Sequence, residues 1–366
     1  MVTARRAREL ALLTCLAMPM TLLACGSDAS GPGEVTRSYL MGFSNFPPAP
    51  DVDLQRRAVE MWSSRADIAI MHIDPPWVAL LAGGDADSLV RADVLPLKLA
   101  YTSIGKLVVI ETDVTNGLDR TAESPALVAL GRSITEDTVQ KLYRRYVASV
   151  ASIAHPLFLG LASETNLIRA ASSPAVYAAV VKMTNDAFPQ VEISDGPVIY
   201  VSVQGEVAWG RLGIGGAAGF VGIDRDLADF PFTQVLGISS YPYLGGFTDP
   251  SDVPLDYYSR IAGTSNLRVM VTEGGWSSAN IGAVHSSPAL QQAWVKRAAE
   301  LLQHAHAFAW FQLQFTDINL AAFGIPADDP QVAPFARIGL VDTALAPKPA
   351  LSTWDEVFAR RVSLGQ

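Results

Sequence analysis

The chain has 366 residues, 49% of them hydrophobic and 17% charged, with a formal net charge of −9. That length suits one large domain or two ordinary ones, and the apolar content supports a sizeable core, which excludes a disordered chain. The acidic balance excludes a nucleic-acid partner, which needs a basic patch, and is compatible with a neutral one such as a polysaccharide.

In chain order, the first segment reads as a targeting sequence. Arg5, Arg6 and Arg8 precede an apolar run from Leu10 to Ala24. This is the pattern of a secretory signal, and it is shorter than the roughly 20 residues of a spanning helix. The run ends Leu22-Leu23-Ala24-Cys25, similar to the lipobox of bacterial lipoproteins, where the cysteine becomes the acylated first residue. The resemblance implies a signal peptide over residues 1–24, lipidation at Cys25, export across the inner membrane and a lipid anchor in the cell envelope. Residues 25–36, rich in small and polar side chains, read as a flexible tether. Cys15 and Cys25 are the only cysteines, and Cys15 leaves with the signal. The mature chain is therefore expected to hold no disulfide, no cysteine nucleophile and no thiolate metal site.

From residue 37 to residue 362, short apolar runs alternate with longer helical patterns. Eight runs predict strands: Ser38–Ser44, Asp67–Ile73, Lys106–Thr112, Leu157–Ser163, Val198–Val203, Val235–Tyr241, Arg268–Glu273 and Ala307–Gln314. Between them, Thr135 to Ala154 places Val139, Leu142, Tyr146, Val150 and Ile153 on one helical face, with Ser133 and Glu136 spaced as a capping box. Ser173-Pro174 and Ser287-Pro288 each pair an N-cap with proline at the first helical position. Runs that are apolar throughout suit a sheet covered on both faces. Eight such units predict a single (β/α)₈ barrel, an α/β fold, with a doubly wound open sheet as the competing arrangement.

In such a barrel the active face gathers the residues at strand C-termini. Polar candidates there include His72, Asp74, Glu111, Asp113, Glu164, Asn166, Glu206, Tyr241, Tyr243 and Glu273. Asp74 before two prolines and Asp113 before Asn116-Gly117 also read as turn residues. Glu164 and Glu273 stand out. Each follows an apolar run directly, so its charge is costly unless paired or used. Two carboxylates brought to one face are the minimum equipment for hydrolysing a glycosidic bond.

The phrases Gly-Leu-Ala-Ser-Glu-Thr-Asn, Gly-Ile-Ser-Ser-Tyr-Pro-Tyr and Val-Met-Val-Thr-Glu-Gly-Gly-Trp carry a resemblance. In order and spacing they are similar to the fourth-, sixth- and seventh-strand motifs of the clan A retaining glycoside hydrolases, with the flavour of endo-β-galactanases and, second, of β-glucanases. The resemblance implies a β-linked poly- or oligosaccharide substrate and no cofactor. It implies Glu164 as general acid/base, Glu273 as nucleophile and Tyr241 as the residue that orients the nucleophile. It places Ser163, Asn166, Tyr243, Trp276, His72 and Asp74 as substrate-binding candidates. Trp276 reads equally as a residue closing the barrel top, and Trp310 reads as core or as a subsite tryptophan. The family usually carries asparagine before the acid/base, where this chain has Ser163, and arginine on the second strand, where it has His72 and Asp74. These departures motivate a rival expectation, a catalytically weak glycan-binding lipoprotein on the same barrel.

Other signals point elsewhere only faintly. Gly213 to Gly219 brushes against a dinucleotide fingerprint, but no strand leads directly into it, and a loop is expected. The histidines His72, His155, His285, His304 and His306 lack the His-Glu-x-x-His spacing of a metallohydrolase, and no metal is expected. His304 and His306 close the helix begun at Ser287-Pro288, where the helix dipole accounts for them. No Gly-x-Ser-x-Gly elbow supports a serine hydrolase.

Overall fold

The structure is a computed structural model that describes residues 35–44, 46–214, 219–282 and 284–364. The expected signal, Cys25 and nearly all of the expected tether lie outside the described residues, as does the middle of the Gly213–Gly219 segment. Eight parallel strands close into a barrel in chain order. They are β1 Leu40–Ser44, β2 Ile68–Ile73, β3 Leu107–Thr112 and β4 Phe158–Gly160. The second half comprises β5 Val198–Gln204, β6 Leu236–Ser240, β7 Val269–Gly274 and β8 Ala309–Gln312. All eight fall on the predicted runs. The pairing of β1 with β8, from Leu40 with Ala309 to Phe43 with Gln312, closes the ring and rules out the open sheet.

Period-two alternation sends successive side chains to opposite faces of each strand. Leu40, Ile68, Ile70, Val109, Phe158, Tyr200, Met270 and Phe311 form one buried cluster inside the barrel. Their neighbours Met41, Phe43, Ala69, Val108, Leu159, Val201, Val271 and Trp310 join the cluster under the surrounding helices. Both faces are therefore apolar, which is why the strands read as continuous hydrophobic runs. Trp310 belongs to this outer layer, with its ring 4.7 Å from that of Trp354.

The helix signals hold with small shifts. Ser173 and Ser287 accept from the N–H groups of Val176 and Leu290, capping the helices Pro174–Val191 and Pro288–His304. The predicted Thr135–Ala154 helix runs as Asp137–Ser149 and then widens into a π turn at Val150–Ala154. Glu136 reaches back to the Ser133 N–H, but Ser133 Oγ turns to Glu123, so only half of the capping box forms.

Upper-barrel contacts are set by glycine. A Cβ on Gly160 would lie 2.8 Å from Tyr200 Cζ and 2.9 Å from Glu111 Cγ. Inward glycine here leaves room for a phenol and a carboxylate side by side. β7 carries the other decisive irregularity. Its register with β6 runs Ile238 to Val271 and then Ser239 to Glu273, skipping Thr272. With Met270 inward and Val271 outward, strict alternation would turn Thr272 inward and Glu273 outward. The extra residue re-aims Glu273 into the barrel beside Ser239.

Candidate active site

Glu164 lies just past β4, at the head of the helix Thr165–Ala171, in left-handed backbone with φ 48° and ψ 47°. For a non-glycine residue that conformation costs on the order of 1 kcal/mol and persists only where the surroundings hold it. Here its N–H donates to Ser202 Oγ at 3.0 Å, and its carbonyl accepts from the N–H groups of Leu167 and Ile168. Ser202 Oγ in turn donates to Glu111 at 2.5 Å, and Tyr200 donates to the other Glu111 oxygen at 3.2 Å. A buried carboxylate inside the barrel thus braces the serine that braces Glu164. Burial pushes the Glu111 carboxyl up, with the neighbouring His72 charge opposing it. Burial also pushes His72 down, against the pull of Glu111.

The Glu164 side chain is buried and held at both oxygens. Oε2 accepts from Arg120 Nε at 2.9 Å, and Oε1 accepts from Ser239 Oγ at 2.6 Å. Arg120 comes from the loop after β3, where its Nη1 also donates to both Asp113 oxygens, at 2.5 and 2.7 Å, and to Thr115 Oγ1. The same Ser239 hydroxyl stands 2.7 Å from Glu273 Oε1. Those two carboxylate oxygens are therefore at most 5.3 Å apart, the sum of the two contacts. Burial first, and the Glu164 charge second, push the Glu273 carboxyl up to about 8, against the lowering effect of Ser239.

Apart from Tyr241, the expected site residues among the described residues divide into two groups. Glu164, Glu273, Ser163 and His72 gather at or beside the carboxylate pair, and Asp74 lies within the fields of Asp113 and Arg120. Ser163 is buried next to Glu111. His72 is the register neighbour of Glu111, and Phe46, 44% exposed at the rim, stacks on its ring at 5.8 Å. Protein atoms around its carboxyl, and then the Asp113 charge, push Asp74 up to about 6.

Asn166, Tyr243 and Trp276 are committed elsewhere. The Asn166 amide pairs with both backbone groups of Gln204, at 2.9 and 2.7 Å. Tyr243 donates to the Pro334 carbonyl. Trp276 is 1% exposed, donates to Ser286 and packs on Tyr243 and Trp294. Of the two readings open for Trp276, closure of the barrel top matches this packing.

Tyr241 is near the pair without bonding it. Burial, and then the Glu273 charge, push its phenol well up, while its ring packs on Phe335. Among the described residues, the hydrogen bond on Glu273 comes from Ser239 instead. The Tyr241 N–H is held by Glu206, a fully buried carboxylate that also accepts from Tyr257 and Gln204 and is pushed by burial up to about 6.

Arg120, Ser239 and Ser202 were not singled out from the sequence. Ser239 and Ser202 carried one usable signal, since both lie on the inward parity of their strands. Arg120 carried none, being one polar residue in a polar loop.

No protein-family model matches the chain, and no curated protein matches its sequence. Solved structures do match in fold. An exo-β-1,4-mannosidase from Opitutaceae bacterium strain TAV5 matches with a TM-score of 0.62 at 16% identity, over 93% of this chain and 62% of the mannosidase. The chain thus spans under two thirds of that enzyme's length. Xylanase 10B from Thermotoga petrophila RKU-1, solved with xylobiose, matches at 0.60 and 12% identity, over 88% of this chain and 94% of the xylanase. A Faecalibacterium prausnitzii β-glucuronidase matches at 0.58 and 14%, over 91% of this chain and 50% of the enzyme. At such identities the likeness is one of fold, the TIM barrel these glycosidases use.

Proposed function

We propose that this chain is a retaining glycoside hydrolase acting on β-linked polysaccharide, galactan-like or glucan-like. Glu164 serves as general acid/base and Glu273 as nucleophile. The observation that carries the reading is the shared contact with Ser239, which keeps one oxygen of each glutamate within 5.3 Å of the other. Retaining pairs stand about 5–5.5 Å apart, and inverting pairs about 6.5–9.5 Å, to leave room for water. In the first step the Glu273 carboxylate attacks the anomeric carbon while Glu164 protonates the departing oxygen. In the second, Glu164 takes a proton from water, which releases the sugar from Glu273. The likeness to a mannosidase, a xylanase and a glucuronidase supports a glycosidic substrate. Phe46 offers an open ring at the rim on which a pyranose face could rest. With Cys25 lipidated, the barrel would work outside the inner membrane, anchored to the cell envelope.

Glu164→Gln and Glu273→Gln, assayed on β-galactan, β-glucan and β-mannan, should each lose at least about 100-fold in turnover, the low end for a general acid. Unchanged turnover in both variants would remove the proposal.

One observation favours a second reading, a glycan-binding protein with weak catalysis. Both Glu164 oxygens already have protein partners, and Arg120 sets a positive charge against the group that must hold the transferable proton. Measurable glycan binding with no product across a broad polysaccharide panel would select it.

A further inference from the structure

We propose that Ser239 is a positioning residue that relays a proton from Glu273 to Glu164, converting a resting pair into a reactive one. The inference rests on the glycosidase reading above and deepens it.

The number of hydrogens limits what the Ser239 hydroxyl can do. Ser239 Oγ lies 2.6 Å from Glu164 Oε1 and 2.7 Å from Glu273 Oε1, both distances of hydroxyl–carboxylate hydrogen bonds. A serine hydroxyl has a single proton and donates only one such bond. The second short contact therefore needs a proton from a carboxyl, so the row of three oxygens holds two protons between them. Burial and register fix the position of Ser239. It is fully buried on the inward face of β6, in register with Glu273 because of the skipped residue in β7.

The surroundings decide which glutamate holds that proton at rest. Glu164 is in a salt bridge with Arg120 at 2.9 Å. Among the described residues, Glu273 is in no salt bridge. The negative charge therefore rests on Glu164 and the proton on Glu273, donated to Ser239, which in turn donates to Glu164. Burial of Glu273, which pushes its carboxyl up to about 8, agrees with this placement.

Retaining cleavage needs the opposite arrangement, with Glu164 protonated and Glu273 ionised. The bridge supplies it in one balanced step. The Glu273 O–H bond breaks as its proton bonds to Ser239 Oγ. The Ser239 O–H bond breaks as that proton bonds to Glu164 Oε1. Two O–H bonds break and two form, no proton enters or leaves, and the negative charge passes from Glu164 to Glu273. A seated sugar drives the transfer. Positive charge developing at its anomeric carbon favours the Glu273 anion, and its bridging oxygen accepts from protonated Glu164. The same sugar excludes water, which leaves the serine as the path.

The test compares the full chain and its Ser239→Ala variant on two β-glycosides of the sugar that the wild type cleaves best. One is an oligosaccharide, whose alkoxide leaving group needs protonation. The other is a dinitrophenyl glycoside, which departs without it. Both substrates need an ionised Glu273, so below about pH 8 the variant is expected to lose kcat/KM on both. Above it, where Glu273 gives its proton to solvent, the dinitrophenyl glycoside is expected to recover to within about tenfold of wild type, while the oligosaccharide stays about 100-fold down. A loss on the dinitrophenyl glycoside that does not recover above about pH 8 would assign Ser239 a packing role only, and an unchanged rate on both substrates would assign it none; either overturns the relay. In both cases an active wild type leaves the glycosidase reading standing. A wild type inert on β-galactan, β-glucan and β-mannan alike would overturn that reading and the relay with it.

Discussion

Glu273 is held between the inward face of β7 and the Ser239 hydroxyl, with the charge of Glu164 just beyond. Its carboxyl is pushed from the ordinary 4.5 up to about 8, first by burial and then by that charge. The sign of the linkage follows. Between those two values the folded chain binds more protons than the unfolded one, so the stability from this group is present below about 4.5 and is lost as pH rises through about 8. Glu273→Gln cannot titrate and escapes the loss. Its stability relative to wild type should rise by on the order of 2 kcal/mol between about pH 5 and pH 8, measured by denaturant unfolding at each pH. Parallel stability curves would contradict this. At this scale the sequence exposed the two glutamates, because a carboxylate after an apolar run is conspicuous. It did not expose the partners. Arg120 and Ser239 stand 44 and 75 residues from Glu164, and no local pattern links them to it.

β4 carries its function through an absence. Gly160 leaves the space in which Tyr200 and Glu111 pack, and Glu111 anchors the Ser202 hydroxyl that holds the left-handed backbone of Glu164. A Gly160→Ala methyl would meet two side chains already pinned by hydrogen bonds. The expected cost is about 2 kcal/mol in denaturant unfolding, with a fall in turnover as Glu164 shifts. A variant with wild-type stability would show that these neighbours yield more easily than their bonds imply. Helix starts at Ser173-Pro174 and Ser287-Pro288 were legible because capping is settled within three or four residues. The skipped residue in β7 was not legible. Val269–Gly274 contains nothing in its own sequence that marks Thr272 as extra, and the shift is defined only against β6.

Across the whole molecule, the chain from Thr36 onward forms one unit whose two ends meet. Thr36, the last residue of the expected tether, pairs in parallel with Arg361 beneath the barrel. Arg37 is 3% exposed and ties this junction to the ring, donating to Asp67 at 2.7 and 3.2 Å and to the carbonyls of Tyr39 and Arg360. Arg37→Met would take from Asp67 its ion-pair partner, leaving it the Met41 N–H, and would remove the Arg37 donor from those carbonyls. The expected loss is about 3 kcal/mol of stability by chemical denaturation, with turnover per folded molecule unchanged. A loss under about 0.5 kcal/mol, the range of an ordinary surface change, would mean the ends contribute little to closure.

The sequence by itself determined the number and order of the strands and the placing of Glu164 and Glu273 at strand ends. Each of these is a property of residue type and short-range periodicity. Only the tertiary structure decided that the sheet closes, that Glu273 points inward and that one serine and one arginine hold the glutamate pair. It also decided that Asn166, Tyr243 and Trp276 are occupied by neighbours. These depend on register and on contacts between distant segments, which exist only once packing brings the strands to a common rim.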